Sequence, residues 1–260
     1  MAWQVVKLPV QAAFRRVSRL YLQLSQRKYR YIFILGHMRS GSTLLAHILA
    51  SHPNIAGAGE MHVSYRTPAD LQTLVLKTCE FLRRPVLSEE FVVDQINHDY
   101  VADDVLRSDL VHRCIILMRK PEATLKSMLS LKIWQENDAL AAYLKRLEDL
   151  KHYGSVLDGR AILVEYDDLI ERSGETLASL TSFLELGPPL TPGYTTHRMT
   201  ARVSGYGDPS NNIKSGHIVR TPDHAISLSG DTLAAANRAF EDCWTYLRDA
   251  TNRRAEALQS

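Results

Sequence analysis

Apolar residues along this chain form two alternating patterns, short uninterrupted runs and longer stretches with helical spacing. The runs lie at 31–35, 114–118 and 162–164, and their composition indicates strands buried on both faces of a parallel sheet. The stretches in which large apolar residues recur every three or four positions are 44–49, 71–82, 140–150 and 233–247. Because strands and helices alternate, the sequence predicts an α/β fold with a central parallel sheet and helices on both faces.

The turn between the first run and the first helix is bracketed by two glycines, Gly36 and Gly41. Glycines permit tight backbone turns, and a helix that begins directly after such a turn presents N–H groups and the positive end of its dipole. Both features favour an anion such as phosphate. The turn therefore predicts a phosphate-binding loop within a P-loop-type three-layer fold.

This loop keeps the glycine spacing of the nucleoside-triphosphate loop G-x-x-x-x-G-K-[ST], but Ser42 stands at the position of the lysine. In triphosphate enzymes that lysine contacts the β- and γ-phosphates. The nearest cation here is Arg39, inside the loop and beside several hydroxyls. The sequence therefore favours a different nucleotide, and a nucleotide-dependent kinase is the alternative.

Three motifs together resemble those of sulfotransferases that use 3′-phosphoadenosine 5′-phosphosulfate (PAPS). The segment 39–43 is similar to the arginine form of their 5′-phosphosulfate loop, found in Golgi-type, tyrosylprotein and bacterial members. The run 114–118, followed by Arg119 and then Ser127, is similar to the strand, arginine and serine that hold the 3′-phosphate. The segment 162–169 is similar to the family's strand with a tyrosine and acidic residues.

The resemblance implies a site for PAPS and for its product, 3′-phosphoadenosine 5′-phosphate, without a metal ion. A late loop is also similar to the family's R-K-G-x-x-G-D-W-K segment, although Pro209 and Ser210 replace its tryptophan and lysine. The expected nucleotide-binding residues are Arg39, Ser40, Gly41, Ser42, Thr43, Arg119, Ser127, Gly205, Gly207 and Lys214.

Glu60 is the candidate general base, because a carboxylate that follows the neighbouring strand opens into the same crevice as the loop. The tyrosylprotein and Golgi-like branch has a glutamate at a similar distance after the loop arginine. His37 and His62 are the rival bases, since imidazole titrates near neutral pH. Lys132, one turn after Ser127, is a candidate for neutralising the leaving group, together with Arg39 as a second catalytic cation.

Residues 1–30 contain seven of the 31 Lys and Arg residues and none of the 29 acids. We interpret residues 1–28 as a basic amphipathic helix and residues 29–260 as the sulfotransferase domain. The helix either docks on its own domain, the favoured reading, or makes peripheral contact with the inner face of a membrane. Its predicted apolar stripe consists of Val6, Val10, Phe14, Val17, Tyr21 and Leu24.

Three scattered cysteines do not form a disulfide framework, and no signal peptide is recognised, so we expect a cytoplasmic protein. His98 and His112 have no partner at metal-ligand spacing, so no metal site is expected. The segments 61–111 and 190–230 are the expected acceptor and lid segments.

The expected partner is a hydroxyl-bearing acceptor and not a nucleic acid. A glycan, a glycolipid or a small metabolite is favoured, and a peptide tyrosine remains open. A non-catalytic, membrane-associated nucleotide-binding protein is the third interpretation.

Overall fold

The computed structural model describes residues 7–25, 27–196, 211–220 and 224–257. Its strands are β1 (Arg30–Gly36), β2 (Ile55–Gly57), β3 (Phe91–Ile96), β4 (Val111–Met118) and β5 (Ala161–Glu165). Its helices are α1 (Lys7–Ser25), α2 (Ser42–Ala50), α3 (Asp70–Leu82), α4 (Asp103–Arg107), α5 (Pro121–Leu129), α6 (Glu136–Leu157), α7 (Tyr166–Glu171), α8 (Ser173–Phe183) and α9 (Gly230–Ala257). A 3₁₀ turn covers Asn211–Ser215.

The five strands form one parallel sheet in the order β2-β3-β1-β4-β5. β1 is central, pairing with β3 on one side and with β4 on the other. The carboxyl ends of parallel strands meet at one edge of a sheet, and ligands bind in the crevice outside that edge. The loop after β1 therefore lies between the chain segments that leave β3 and β4.

Alternate residues of β1 are buried on opposite faces of the sheet. Phe33 and Leu35 pack in a core with residues of α3, α5, α6 and α9, whereas Ile32 and Ile34 pack with residues of α2, α7 and α8. A strand covered on both faces has an uninterrupted apolar sequence, which is why the run at 31–35 was readable. The predicted α/β fold with a central parallel sheet is confirmed.

Strand β3 was not predicted, although it lies within the segment 61–111 that the sequence assigned to the acceptor or lid. Residues 91–96 lie between β2 and β1 in the sheet, and all six are buried. The strand contains Asp94 and Gln95, 2% and 1% exposed, which interrupt its apolar pattern. These two buried polar residues are why the apolar pattern of the sequence did not predict this interior strand.

Helix α1 packs against α3, as the docking interpretation expected, but only part of the predicted stripe faces the domain, including Phe14. Ser18 and Leu22 are buried, while Val17 and Leu24 are 55% and 75% exposed. Arg15 also forms an ion pair with Glu80 of α3, at 2.6 Å. The predicted stripe is therefore wrong at Val17 and Leu24. Among the described helices, none combines the length and apolar composition that crossing a membrane requires.

Candidate functional site

The loop between β1 and α2 has the backbone geometry of an anion cradle. Gly41 has a φ of 93° and precedes the first residue of α2, Ser42. A Cβ added at Gly41 would lie 2.3 Å from Cδ2 of Tyr166, so both the positive φ and this close contact disfavour a side chain at the position. The first amides of α2 have no carbonyl partner inside the helix, and they face the crevice with the positive end of its dipole.

Arg39 lies inside this loop and connects it to α5. Its φ is 63°, a left-handed backbone that is uncommon for a residue with a side chain and that marks a constrained position. Its Nε donates a hydrogen bond to Oγ of Ser127, at 2.9 Å, and Ser127 is 2% exposed. The two predicted residues, 88 positions apart in sequence, are therefore in direct contact.

Arg119 follows β4 and reaches the same loop. One of its guanidinium nitrogens donates to the carbonyl oxygen of Arg39 at 3.2 Å. The guanidinium also lies 4.4 Å from the ring centroid of Tyr166, a cation–π contact that orients it. Tyr166 directly follows the last residue of β5. The segments that leave β1, β4 and β5 therefore meet at the loop.

His37 is placed as a structural residue of the loop. Its Nε2 accepts the backbone N–H of Arg119 at 3.0 Å, and its Nδ1 donates to the carbonyl oxygen of Met38 at 2.9 Å. Burial lowers the pKa of His37 to about 4, so the ring is neutral at physiological pH. Because the Nε2 lone pair is already occupied, the arrangement disfavours His37 as the general base.

Glu60 lies after β2, in the segment that also carries His62, and its partner is a histidine that the sequence did not indicate. His98, two residues after the end of β3, places Nδ1 3.1 Å from Oε1 of Glu60. The hydrogen bond and charge of Glu60 raise the pKa of His98. A nitrogen of His62 lies within 4.8 Å of both partners. The sequence predicted no metal-ligand partner for His98 from residue spacing, but the fold brings Glu60 and His62 beside it.

Asp94 of β3 fixes the backbone next to Glu60 by hydrogen bonds. One carboxylate oxygen of Asp94 accepts the N–H of Met61 at 3.0 Å, and the other accepts the hydroxyl of Tyr65 at 2.7 Å. Asp94 is 2% exposed, and this burial raises its pKa to about 7. From the other side, Nζ of Lys77 donates to the carbonyl oxygens of Met61 and His62, at 2.9 and 2.8 Å.

A cavity of about 150 Å³ lies beside Glu60's partner. His98, Met38, Trp134 and Tyr143 contribute to its wall, together with Asn97 at the end of β3. Nε1 of Trp134 and Oδ1 of Asn97 are buried and make no hydrogen bond to any residue of the described part. The cavity therefore combines apolar walls with a hydrogen-bond donor and an acceptor.

Two of the remaining predicted residues, Lys132 and Lys214, lie within the described part of the chain. Lys132 lies beyond the end of α5 at Leu129, with a left-handed φ of 59°. Its side chain is exposed, and its ammonium group makes no hydrogen bond or ion pair with the described residues. Lys214 lies exposed in the 3₁₀ turn. Gly205 and Gly207 fall outside the described residues.

Comparison with known proteins shows what the segment around the loop is similar to. Residues 31–107 match the model of the sulfotransferase family. A stretch of 62 residues is 40% identical to nodulation protein NoeE of Sinorhizobium fredii (strain NBRC 101917 / NGR234), and it covers 20% of this chain and only 15% of that protein.

Two solved structures have a similar fold. The sulfotransferase domain from the curacin biosynthetic pathway is 22% identical with a TM-score of 0.55, over 82% of this chain and 98% of that one. A sulfotransferase from Alicyclobacillus acidocaldarius is 12% identical with a TM-score of 0.52, over 86% and 96% of the two chains.

The matched residues 31–107 contain the glycine-bracketed loop, Glu60 and His98, and the remaining sheet has the architecture of these solved structures. Residues 31–107 therefore resemble the sulfotransferase family in sequence, and the fold resembles that of two solved sulfotransferases.

Proposed function

We propose that this protein is a sulfotransferase that moves the sulfuryl group of PAPS to a hydroxyl group of an acceptor. The observation that carries the proposal is the convergence of Arg39, Ser127 and Arg119 at the amino-terminal end of α2. Two guanidinium groups and a helix N-terminus at one point form a site for a ligand with several negative charges. PAPS has such charges at its 5′-phosphosulfate and at its 3′-phosphate.

The residues present divide these charges between them in our proposal. The amides of 40–43 and Arg39 hold the 5′-phosphosulfate, and Arg119 with Ser127 hold the 3′-phosphate. Oγ of Ser40 is buried and makes no hydrogen bond to any residue that the structure describes, so it is a further donor for this group. Gly205, Gly207 and Lys214 remain candidates for covering the nucleotide.

PAPS supplies an activated sulfuryl group, and Glu60 removes the proton of the acceptor hydroxyl. As the acceptor oxygen bonds to sulfur, the bond from sulfur to the 5′-phosphate oxygen breaks, and 3′-phosphoadenosine 5′-phosphate leaves. Arg39 and the loop amides stabilise the negative charge that gathers on the leaving oxygen. His98 lies beside Glu60 and orients its carboxylate through a hydrogen bond from Nδ1 to Oε1. Lys132 becomes a contributor only if its segment moves toward the loop.

The cavity beside His98 is our proposed position for the reacting end of the acceptor. Its volume of about 150 Å³ is about that of an engineered cavity that binds benzene, so it accommodates a single six-membered ring. Met38 and Trp134 offer flat apolar contact, and Trp134 Nε1 and Asn97 Oδ1 can pair with hydroxyl groups. A sugar ring of a glycan or glycolipid, or a small ring-containing metabolite, has this combination of apolar face and hydroxyls.

The test is transfer of labelled sulfate from PAPS to a panel of hydroxyl-bearing acceptors, with wild type, Glu60→Gln and Glu122→Gln. Glu122 is an exposed carboxylate paired with Lys126 on α5, and it serves as the control. We expect Glu60→Gln to lower kcat by about 10²–10⁴-fold, the typical contribution of a general base. Nucleotide binding should stay unchanged in both variants. Full activity of Glu60→Gln, with loss in His98→Ala, would move the base to His98.

The acceptor position has its own test. Trp134→Ala should raise the KM for the acceptor and leave that for PAPS unchanged, because the indole lines the cavity and not the loop. Ile133→Ala is the matched control, since Ile133 is the neighbouring residue and 77% exposed. An equal effect of the two substitutions on the acceptor KM would contradict this placement.

A further inference from the structure

Glu60, His62 and His98 bring one carboxylate oxygen and two imidazole nitrogens within 4.8 Å of one another. We name them the Glu60–His62–His98 cluster, and we propose that it binds a divalent transition-metal ion of the Zn²⁺ class. The three residues come from two chain segments, the one after β2 and the one after β3, which are neighbouring strands in the sheet. The cluster contains none of the residues that we place around the nucleotide.

The donor set is suited to this class of ion. Two imidazoles and one carboxylate, with a further position open to water, are a common protein ligand set for zinc. Metal–ligand bonds of about 2.0–2.1 Å in a tetrahedron separate ligand atoms by about 3.4 Å. The Glu60–His98 pair is at 3.1 Å, and all three ligand atoms lie within 4.8 Å of one another, so no separation exceeds the tetrahedral value by more than about 1.4 Å.

The ligand-bearing backbone is held in place before any ion binds. Asp94 accepts the N–H of Met61, and Lys77 donates to the carbonyl oxygens of Met61 and His62. His62 itself has a φ of 48°, a left-handed backbone that costs free energy and persists only where surrounding contacts impose it. Because the backbone at Met61 and His62 is already fixed, metal binding costs the protein less conformational entropy.

The second nitrogen of His98 supports the same assignment. Its Nδ1 faces Glu60, while its Nε2 lies 3.8 Å from a carboxylate oxygen of Asp99. In metal sites the ligating histidine usually donates its other N–H to a carboxylate, which fixes the tautomer and strengthens the ligand. Asp99 is placed to do this after a small rotation.

Occupancy of the cluster has a consequence that rests on the proposed function. An ion bound to the carboxylate of Glu60 withdraws electron density from it and lowers its ability to accept the proton of the acceptor hydroxyl. Zinc should therefore inhibit sulfuryl transfer without weakening nucleotide binding. The binding of the ion itself does not depend on which reaction the protein catalyses.

The experiment is titration of the tag-free full chain with Zn²⁺ against a chelating indicator, and with Co²⁺ followed by its visible absorption. Variants His62→Ala and His98→Ala are compared with His152→Ala. His152 pairs with Asp103 at 2.7 Å on the surface, so it is a histidine–carboxylate pair outside the cluster. We expect one ion per wild-type chain and a tetrahedral Co²⁺ spectrum. Each cluster variant should bind at least about tenfold more weakly, and His152→Ala should bind like wild type.

Equal zinc affinity of wild type and both cluster variants would overturn the proposal, as would an octahedral Co²⁺ spectrum or equal weakening by His152→Ala. Inhibition is measured separately, as the transfer rate of each protein relative to its own rate in chelator. Binding without inhibition would retain the metal site and reject Glu60 as the base. A failure of the proposed function is therefore distinguishable from a failure of the metal site.

Discussion

Gly41 allows the strongest quantitative prediction, because Gly59 provides a nearly ideal control. The two glycines have nearly the same positive φ, 93° and 94°. They differ in their surroundings. A Cβ at Gly41 would lie 2.3 and 2.6 Å from two ring carbons of Tyr166, whereas a Cβ at Gly59 would meet nothing within 4 Å.

The expected losses follow from this difference. A left-handed backbone costs an alanine about 1–2 kcal/mol, and alanine's lower entropy in the unfolded chain offsets about 0.4–1 kcal/mol. Gly59→Ala should therefore lower the free energy of unfolding by about 1 kcal/mol. Gly41→Ala adds about 1–3 kcal/mol of overpacking and, if Tyr166 moves, about 1 kcal/mol of its contact with Arg119. Its total should be about 2–5 kcal/mol.

The assay is urea unfolding of wild type, Gly41→Ala and Gly59→Ala, with the slope of the transition checked for constancy so that the midpoints report stability. A larger loss in Gly41→Ala should be accompanied by weaker binding of 3′-phosphoadenosine 5′-phosphate, because Tyr166 orients Arg119. Equal losses of stability in the two variants would refute the argument that Tyr166 closes on Gly41.

Three further perturbations test other parts of the account. The pKa of Asp94 is about 7 in the folded protein and about 3.9 in the unfolded chain. Its contribution to the free energy of unfolding should therefore be complete below pH 4 and lost as the pH rises to 7. Urea unfolding between pH 4 and 8 should show this loss in wild type and not in Asp94→Asn. Ser127→Ala removes the acceptor of Arg39 and should weaken nucleotide binding by about 1.5–3 kcal/mol, the range for hydrogen bonds of charged groups; calorimetry showing unchanged affinity would reject the contact. Leu22→Ala should lower the free energy of unfolding by about 2–4 kcal/mol and Leu24→Ala by less than about 0.5 kcal/mol, since only Leu22 is buried; comparable losses would place α1 with a different face toward the domain.

The loop and the sheet could be predicted because their signals are local in sequence. An apolar run, two glycines at a fixed spacing and a helical pattern are adjacent in residues 31–49, and each is required by the geometry of a strand, a turn and a helix. The position of Arg119 followed in the same way from the run that precedes it. Elements of this kind can be predicted without information about the rest of the chain.

The surroundings of Glu60 could not be predicted, because they depend on the order of the strands. β3 inserts between β2 and β1, and that order brings His98 to Glu60 across 38 residues of sequence. The strand itself is hard to predict because it contains Asp94, a buried carboxylate that accepts a hydrogen bond from the backbone of Met61. Tyr166 was noticed as part of a motif, but its packing against Gly41 depends on how β5 ends beside the loop.

The central claim is tested most directly by calorimetric titration with 3′-phosphoadenosine 5′-phosphate in the absence of Mg²⁺. The proteins are wild type, Arg119→Ala and Arg113→Ala, with ATP as the control ligand. Arg113 lies on β4, the strand that Arg119 directly follows, and its guanidinium pairs with Glu185 at 2.9 Å, so it controls for the loss of an arginine from this part of the chain. We predict tight binding by wild type and Arg113→Ala, and weakening by about 1.5–3 kcal/mol in Arg119→Ala. Absence of binding, or a preference for ATP with Mg²⁺, would contradict the proposal that this site holds PAPS.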